Sequence, residues 1–177
     1  MMTSPELHSS ETILDGFLTV KKEHLRFSNG YAHDHFTLSL PTSSSVSVIA
    51  LDKEGRYIIN KEYRHAAGGV ILSLPGGFLL ESEDPCEGGK RELIEETGFT
   101  TDDLQIIGSS FPMPGICDQN VIYVFAKGCR KVTEPVLEGS EMIHTVQLTD
   151  EELRKQVRSG APVDGILLAG LCFFDFY

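Results

Sequence analysis

The stretch Gly77–Phe99 reads GFLLESEDPCEGGKRELIEETGF, and the rest of the chain can be interpreted outward from it. Its second half is a predicted helix. Asp84 is a suitable N-cap, Pro85 suits the first helical turn, and Gly98 is the residue type that ends many helices in a left-handed conformation. The pattern therefore predicts a loop followed by a helix that stops at Gly98.

The predicted helix carries a cluster of carboxylates on one face. Glu92, Glu95 and Glu96 follow the spacing i, i+3 and i+4, at which like charges destabilise an isolated helix. Gly88 and Gly89 each weaken a helix interior by about 1 kcal/mol relative to alanine. A solvated acidic face is one interpretation. The other is a bound divalent cation, because Mg²⁺ and Mn²⁺ prefer carboxylate oxygens.

The complete pattern is G-x5-E-x7-R-E-hydrophobic-x-E-E-x-G-hydrophobic, and it follows an apolar run ending in Leu74-Pro75-Gly76. It resembles the Nudix box, the signature of the Nudix hydrolase superfamily, and weaker likeness extends over most of the chain. The resemblance implies an α/β class with the Nudix fold, an α/β/α sandwich around a mixed β-sheet. It also implies hydrolysis of a nucleoside diphosphate linked to another moiety, and it favours the cation over the solvated face.

The resemblance implies a site for Mg²⁺ or Mn²⁺ at the start and end of this stretch. We expect Glu92 and Glu96, one helical turn apart, to ligate the metal, with the carbonyl group of Gly76 as a further ligand. Glu95 is expected to act as another ligand or as the group that orients the attacking water. Bound divalent metal neutralises a diphosphate and lowers the pKa of water, so these residue types suit the reaction.

Two further side chains are expected to complete the catalytic group. Arg91 is expected to hold the glutamates by bidentate pairing, with Glu83 or Glu95 as its partner. Glu141 precedes a predicted strand at Met142–Leu148 and resembles the late acidic loop of the family. It is expected to act as a distal base or extra metal ligand, and a plain surface glutamate is the alternative.

The segment Glu62-Tyr63-Arg64 resembles the "QYR" segment of the ADP-ribose pyrophosphatase branch. That resemblance implies that Arg64 contacts substrate, although an arginine at a strand end can equally pair with a nearby carboxylate. Ser73 departs from the family pattern, because the usual form is Glu-Leu-Pro-(Ala/Gly)-Gly and Ser73 stands where that glutamate is common.

Pro114 lies sixteen residues after Gly98, an offset typical of the same branch. Asp118 follows on the same predicted loop and is a candidate for contact with substrate or metal. The implied substrate is therefore ADP-ribose or a related ADP-sugar, which would give AMP and a sugar phosphate. The alternatives are another NDP-sugar, a dinucleotide or a nucleoside triphosphate.

Two other classes of function fit the residues less well. A non-catalytic nucleotide-binding domain has no need of three clustered carboxylates. The net charge of −11 argues against binding to nucleic acid, including mRNA decapping, and against binding to an anionic membrane.

The N-terminal part is predicted to differ from the rest. Residues 1–12 are polar and expected to be frayed, whereas the segments 17–27 and 31–40 are expected to form strands around the turn at Asn29-Gly30. We expect residues 1–40 to form a tail and a dimerisation arm, because N-terminal strands commonly join two subunits in the resembled branch. Residues 41–177 are then the hydrolase domain, and the protein is expected to be a homodimer.

The composition predicts a cytoplasmic protein. Its hydrophobic content is 41% and its charged content 23%, which is ordinary for a soluble globular chain. The first residues have no basic or apolar export signal, and the four cysteines form no CxxC pair. Disulfides stay formally open, although reduced thiols are expected. Of the remaining segments, 65–71 is expected to be a loop, and two late helices are expected at about 150–158 and 165–174.

Overall fold

The structure is a computed structural model that describes residues 3–177. Its strands are β1 Glu6–Asp15, β2 Thr19–Arg26, β3 Ala32–Ser39, β4 Ser44–Asp52, β5 Tyr57–Arg64, β6 Gly69–Ser73, β7 Gly76–Phe78, β8 Phe99–Thr100, β9 Leu104–Ser110, β10 Asn120–Lys131 and β11 Ile143–Leu148. Its α-helices are α1 Pro85–Thr97, α2 Asp150–Arg158 and α3 Gly165–Phe176, and a short 3-10 helix covers His65–Ala67.

The chain forms two compact units. The first contains the described residues up to Ser43 together with Phe111–Asn120, and the second contains Ser44–Ser110 and Val121–Tyr177. The first unit is built on a three-stranded antiparallel sheet in the order β1-β2-β3. Every residue of β1 is exposed.

The expectation that residues 1–12 are frayed is wrong from Glu6 onward. Strand β1 pairs with β2 from Glu6 opposite Arg26 to Asp15 opposite Thr19. The pairing partner lies later in the chain, so local composition did not reveal it. Met1 and Met2 lie outside the described residues. The predicted turn between β2 and β3 is confirmed, because Gly30 has a φ of 85° and the amide of Tyr31 donates to Asn29 Oδ1 at 3.0 Å.

The second unit has an eight-stranded sheet whose central order is β11-β5-β4-β10-β8. Strand β4 alternates between the two sides of this sheet. Ile49 packs in a cluster with Leu167 of α3, whereas Val48 and Ala50 pack in another cluster with Leu93 of α1. Helix α1 therefore covers one side of the sheet, and α3 covers the other. The predicted α/β class and α/β/α sandwich are confirmed.

The expected loop at 65–71 is wrong in its second part. After the short 3-10 helix, Gly69–Ser73 forms strand β6, which pairs with β5 from Asn60 opposite Ser73 to Arg64 opposite Gly69. The glycine pair at this position favoured a loop. The backbone of β5 supplies the hydrogen bonds that make the segment a strand.

The helix ends agree with the sequence signals. Asp84 accepts hydrogen bonds from the amides of the first turn of α1, and Gly98 ends this helix with a φ of 75°. Thr149 and Glu152 form a reciprocal capping box at α2, and Asp164 caps α3. Within residues 3–177, no helix combines the length and hydrophobicity needed to cross a membrane. All four cysteines are free thiols.

Candidate active site

Arg91 of α1 lies at the centre of a network of carboxylates. Its Nε and Nη2 donate to the two oxygens of Glu83 at 2.9 and 3.0 Å, so this pair is bidentate. Its Nη1 donates to Glu92 at 2.7 Å and to Glu95 at 3.3 Å. The hydrogen bond with Glu83 raises the pKa of Arg91 and lowers the pKa of that carboxyl. The network therefore holds the loop before α1 against the helix.

Glu96 is the deepest carboxylate of the group, with 6% of its surface exposed. Its Oε2 accepts a hydrogen bond from the amide of Gly76 at 3.1 Å and another from Nδ2 of Asn60 at 2.9 Å. The Oδ1 of Asn60 in turn accepts from the hydroxyl of Thr145 on β11 at 3.1 Å. Strands β7 and β5 thus each donate to a single oxygen of the Glu96 carboxylate, and β11 holds Asn60 in place.

The surroundings of these carboxylates disfavour negative charge. Burial, together with the charges of Glu92, Glu62 and Glu141, raises the pKa of Glu96 to about 8, and the hydrogen bond from the amide of Gly76 opposes this shift. Burial also raises the pKa of Glu92. Carboxylates that lie close together repel one another, which raises their pKa values, and a bound cation would relieve that repulsion. Such a cluster is therefore a candidate cation site.

The donor groups fit one particular mode of divalent metal binding. Within residues 3–177, no three side chains of His, Cys, Asp or Glu converge closely enough to hold a metal ion by themselves. Mg²⁺ is usually held by only one or two carboxylates, with waters and substrate phosphates completing its shell. Glu92 and Glu96 can supply two such carboxylates. Glu95 is half exposed and paired with Arg91.

Gly76 and Gly77 are required by close approach of the chain. Gly76 has a φ of 154°, and a Cβ on it would collide with the carbonyl oxygen of Val46 on β4. A Cβ on Gly77 would lie 2.6 Å from Oε1 of Glu92. Because both side chains are absent, β7 can bring the amide of Gly76 against Glu96 and leave room for the carboxylate of Glu92.

Arg64, at the end of β5, is paired with a carboxylate. Its Nη2 lies 2.9 Å from Oε2 of Glu62, and its side chain is 54% exposed. The hydroxyl of Ser73 donates to the same oxygen of Glu62 at 3.2 Å. Burial raises the pKa of Glu62, and the charge of Arg64 opposes that shift. The alternative considered for Arg64, pairing with a nearby carboxylate, is thus present in the structure.

The other predicted site residues are divided between the two units. Glu141 belongs to the second unit, where its Oε2 accepts a hydrogen bond from the amide of Glu138 at 2.7 Å. Its negative charge raises the pKa values of Glu62, Glu92 and Glu96. Pro114 and Asp118 belong to the first unit. There Oδ2 of Asp118 accepts a hydrogen bond from Ser39 at 2.6 Å.

Sequence reasoning missed three residues that contact the predicted group. Asn60 and Thr145 hold Glu96, and Glu62 holds Arg64. One signal for Asn60 was available, because it is a polar residue directly after the apolar run Tyr57–Ile59 of a strand. Thr145 gave no comparable signal, since threonine is an ordinary strand residue.

Similarity to known proteins extends over most of the chain. Residues 41–164 match the model of the NUDIX domain family. A protein named ADP-ribose pyrophosphatase from Bacillus subtilis (strain 168) is 31% identical over 139 residues, which cover 77% of this chain and 74% of that protein. Another protein of that name, from Mycobacterium tuberculosis (strain ATCC 25618 / H37Rv), is 28% identical over 174 residues, which cover 94% of this chain and 81% of that protein.

A solved structure described as an ADP compounds hydrolase has the same fold. It superposes with a TM-score of 0.83 at 22% identity, covering 99% of this chain and 94% of its own. The chain belongs to the NUDIX family. The resemblance drawn from Gly77–Phe99 is therefore confirmed, and with it the enzyme class of a Nudix hydrolase.

Proposed function

We propose that this protein hydrolyses the diphosphate bond of ADP-ribose or a related ADP-sugar, giving AMP and a sugar phosphate. The observation that carries the proposal is the buried carboxylate of Glu96, fixed by Asn60 and Gly76 and lying on the same helix as Glu92 and Arg91. The choice of an ADP-sugar is supported by the two relatives named ADP-ribose pyrophosphatase.

In this proposal Glu92 and Glu96 ligate Mg²⁺ or Mn²⁺, and the carbonyl of Gly76 is a further ligand. The cation supplies charge neutralisation of the diphosphate and a lowered pKa for water when it is bound. Glu95 is the most exposed of the three helix carboxylates, which suits a group that orients water or joins the ligand set on substrate binding. Arg91 keeps the carboxylates in place through its bond to Glu83.

Hydrolysis requires a group that takes a proton from the attacking water. It also requires groups that hold the anionic substrate beside the carboxylates, which repel it. We assign the proton transfer or an extra ligand to Glu141, because its charge acts on the pKa values of Glu92 and Glu96. We assign substrate contact to Arg64, Pro114 and Asp118. Arg64 is an exposed cation among carboxylates, so it suits an anionic group of the substrate.

We further propose that the protein acts in the cytoplasm as a homodimer joined through residues 1–40, with 41–177 as the hydrolase domain. The first unit supports the dimer because it exposes large apolar side chains, among them Phe17, Ile13 and Leu14. Free cysteines are compatible with a reducing compartment. Static light scattering of the full chain should give twice the monomer mass, and a monomer mass would remove the dimer from the proposal.

The substrate is tested by a hydrolysis screen with products separated by chromatography. The compounds are ADP-ribose, other nucleoside diphosphate sugars, NADH, diadenosine polyphosphates and nucleoside triphosphates, each with Mg²⁺, Mn²⁺ or EDTA. Metal-dependent release of AMP and ribose 5-phosphate from ADP-ribose is expected. Preference for another compound would keep the diphosphate chemistry and discard the ADP-sugar. Binding of nucleotides without turnover would contradict catalysis.

A further inference from the structure

Strand β5 carries a buried carboxylate that the reaction described above does not use. Glu62 is 6% exposed, and acidic side chains are seldom buried this far unless they are paired. On a strand, alternate residues share a side, so Glu62 lies on the same side of β5 as Asn60 and Arg64. Asn60 holds Glu96 on that side of the sheet. Glu62 therefore lies between a residue that binds the catalytic helix and an exposed cation.

In the ion pair of Glu62 with Arg64, the carboxylate is buried, whereas the guanidinium is largely exposed to solvent. The carboxylate is buried and also accepts a hydrogen bond from the hydroxyl of Ser73 on β6 at 3.2 Å. The guanidinium is 54% exposed and touches the carboxylate through Nη2 at 2.9 Å. A guanidinium has five N–H donors in a planar fork, so a single such contact leaves most of its donors available to a second anion. The pair is thus built to present Arg64 outward.

A cation held near the carboxylates would offset their repulsion of an anionic substrate. Carboxylates such as Glu92 and Glu141 repel a diphosphate, and the whole chain has a net charge of −11. Lysine and arginine side chains lose considerable rotamer entropy when they are held in place. Because Glu62 holds the guanidinium before substrate arrives, that loss is not incurred again on binding.

The two departures from the resembled sequence pattern contact each other. Glu62 stands where the "QYR" segment has glutamine, and Ser73 stands where the form Glu-Leu-Pro has glutamate. The structure joins them by the hydrogen bond from Ser73 to Glu62. In this chain β5 therefore supplies the carboxylate, and β6 supplies the small hydroxyl that holds it.

We propose that Glu62 is a positioning residue, which is locked by Ser73 and holds the guanidinium of Arg64 for contact with an anionic group of the substrate. The inference rests on the proposed function, because the anion is the diphosphate or a phosphate-bearing part of the nucleotide sugar. Glu62 acts through Arg64 and does not itself touch the reacting atoms.

The test is a double-mutant cycle of Glu62→Gln, Arg64→Gln and the combined variant. For each protein we would measure kcat and KM for ADP-ribose with Mg²⁺, and the Kd of α,β-methylene ADP-ribose, which cannot be hydrolysed. Glu62→Gln should raise KM and Kd by about tenfold, the effect of losing one charge-assisted hydrogen bond, with kcat within about twofold of wild type. In the Arg64→Gln background the same change should have no further effect.

The chain offers a matched control and a rescue. Glu54 and Arg56 have the same spacing as Glu62 and Arg64 and also form an ion pair, but the Glu54 side chain is 68% exposed and Arg56 is also held by Asp52. Glu54→Gln should leave KM and Kd unchanged. The double change Glu62→Gln with Ser73→Glu moves the carboxylate across to β6 and should restore much of the affinity. Thermal unfolding of each variant shows whether it is folded, and Ser73→Ala, which removes one hydrogen bond, gives a milder test if Glu62→Gln does not fold.

The outcomes separate the inference from the proposed function. If wild type does not hydrolyse ADP-ribose, the proposed function fails and the inference falls with it. If wild type does so and Glu62→Gln has unchanged KM and Kd, the inference alone is wrong. It is also wrong if Glu62→Gln weakens binding equally in the presence and absence of Arg64, because Glu62 would then not act through that residue.

Discussion

The two sides of the eight-stranded sheet bury different kinds of residue. The side facing α2 and α3 has an apolar cluster that includes Ile49, Ile59 and Leu167. The side facing α1 also has apolar residues, but it buries polar groups among them: Asn60, Glu62, Ser73 and Glu96. Strand β5 shows the contrast within two residues, because Ile59 points to one side and its neighbour Asn60 to the other.

The difference indicates where stability and function lie. Burying a polar group is costly unless it is hydrogen-bonded, and the polar groups facing α1 are bonded to one another. The side facing α2 and α3 buries a cluster of apolar side chains, so it contributes mainly to stability. The side facing α1 keeps carboxylates whose pKa values are raised, which fits a site that binds a cation and a charged substrate.

The strongest test of the contrast is Glu96→Gln. We expect it to lower kcat for ADP-ribose by about a hundredfold or more, since even residues behind a metal ligand contribute about 10–100-fold. The fold should be retained, because Gln keeps an oxygen for Asn60 and Gly76. Glu87→Gln, an exposed change on the same helix, is the control and should be neutral. Near-normal turnover by Glu96→Gln would contradict its assignment as a metal ligand.

The opposite side of the sheet should give the opposite result. Leu167 is fully buried in the apolar cluster, so Leu167→Ala should lower the free energy of unfolding by about 2–5 kcal/mol. Its kcat per folded molecule should stay within about twofold of wild type. Leu168→Ala, at an exposed position of the same helix, should cost much less. Denaturant unfolding and kinetics at low temperature measure both quantities. A folded Leu167→Ala protein with little activity would break the separation between the two sides.

The buried carboxylate of Glu96 should also make the stability of the protein depend on pH. The pKa of Glu96 rises from its ordinary 4.5 to about 8 in the folded protein. Between these values the folded state holds a proton that the unfolded state has released. The contribution of this group to stability is therefore fully present below about pH 4.5 and is lost as the pH rises to about 8.

This contribution amounts to a few kcal/mol, because each pKa unit is worth about 1.4 kcal/mol. Urea unfolding in EDTA at pH 5, 6, 7 and 8 should show wild type losing stability relative to Glu96→Gln. Parallel curves for the two proteins would mean that Glu96 is ionised throughout.

The smallest expected effect concerns the support of Glu96. Asn60→Leu removes the amide that donates to Glu96 but leaves the amide of Gly76 in place. We expect kcat to fall by about tenfold, as for other residues that orient a metal ligand. Leucine fills the volume, but the free energy of unfolding should still fall by about 1–3 kcal/mol, because Glu96 and Thr145 each lose a hydrogen-bond partner. Thr145 contacts the carboxylate of Glu96 only through Asn60, so Thr145→Val should lower kcat less than Asn60→Leu does. Equal losses of kcat in the two variants would contradict this arrangement.

The local features of the fold were predictable, and the contacts between distant segments were not. Asp84 and Gly98 end α1 as their residue types require, and the spacing of Glu92 and Glu96 predicted the proposed cation site. Strand β1 was not recognised, because its polar residues form a strand only by pairing with β2. Gly69–Ser73 is a strand for the same reason, because it pairs with β5.

The support of the site escaped prediction for the same reason. The hydrogen bond from Asn60 to Glu96 joins residues 36 apart in sequence, and that from Thr145 to Asn60 joins residues 85 apart. No local pattern encodes such a contact. The link between Ser73 and Glu62 was visible only as two separate departures from a motif, until β6 brought them together.

A cation site on α1 is tested most directly by Mn²⁺ binding followed by electron paramagnetic resonance, in which only free Mn²⁺ gives the sharp signal. It would compare wild type, Glu96→Gln and the control Glu87→Gln at pH 6.5 and pH 8.5 without substrate. We predict that wild type and Glu87→Gln bind Mn²⁺ more tightly at the higher pH, and that Glu96→Gln loses at least about tenfold in affinity and most of the pH dependence. Identical binding by all three proteins would contradict a cation site at the buried carboxylates of α1.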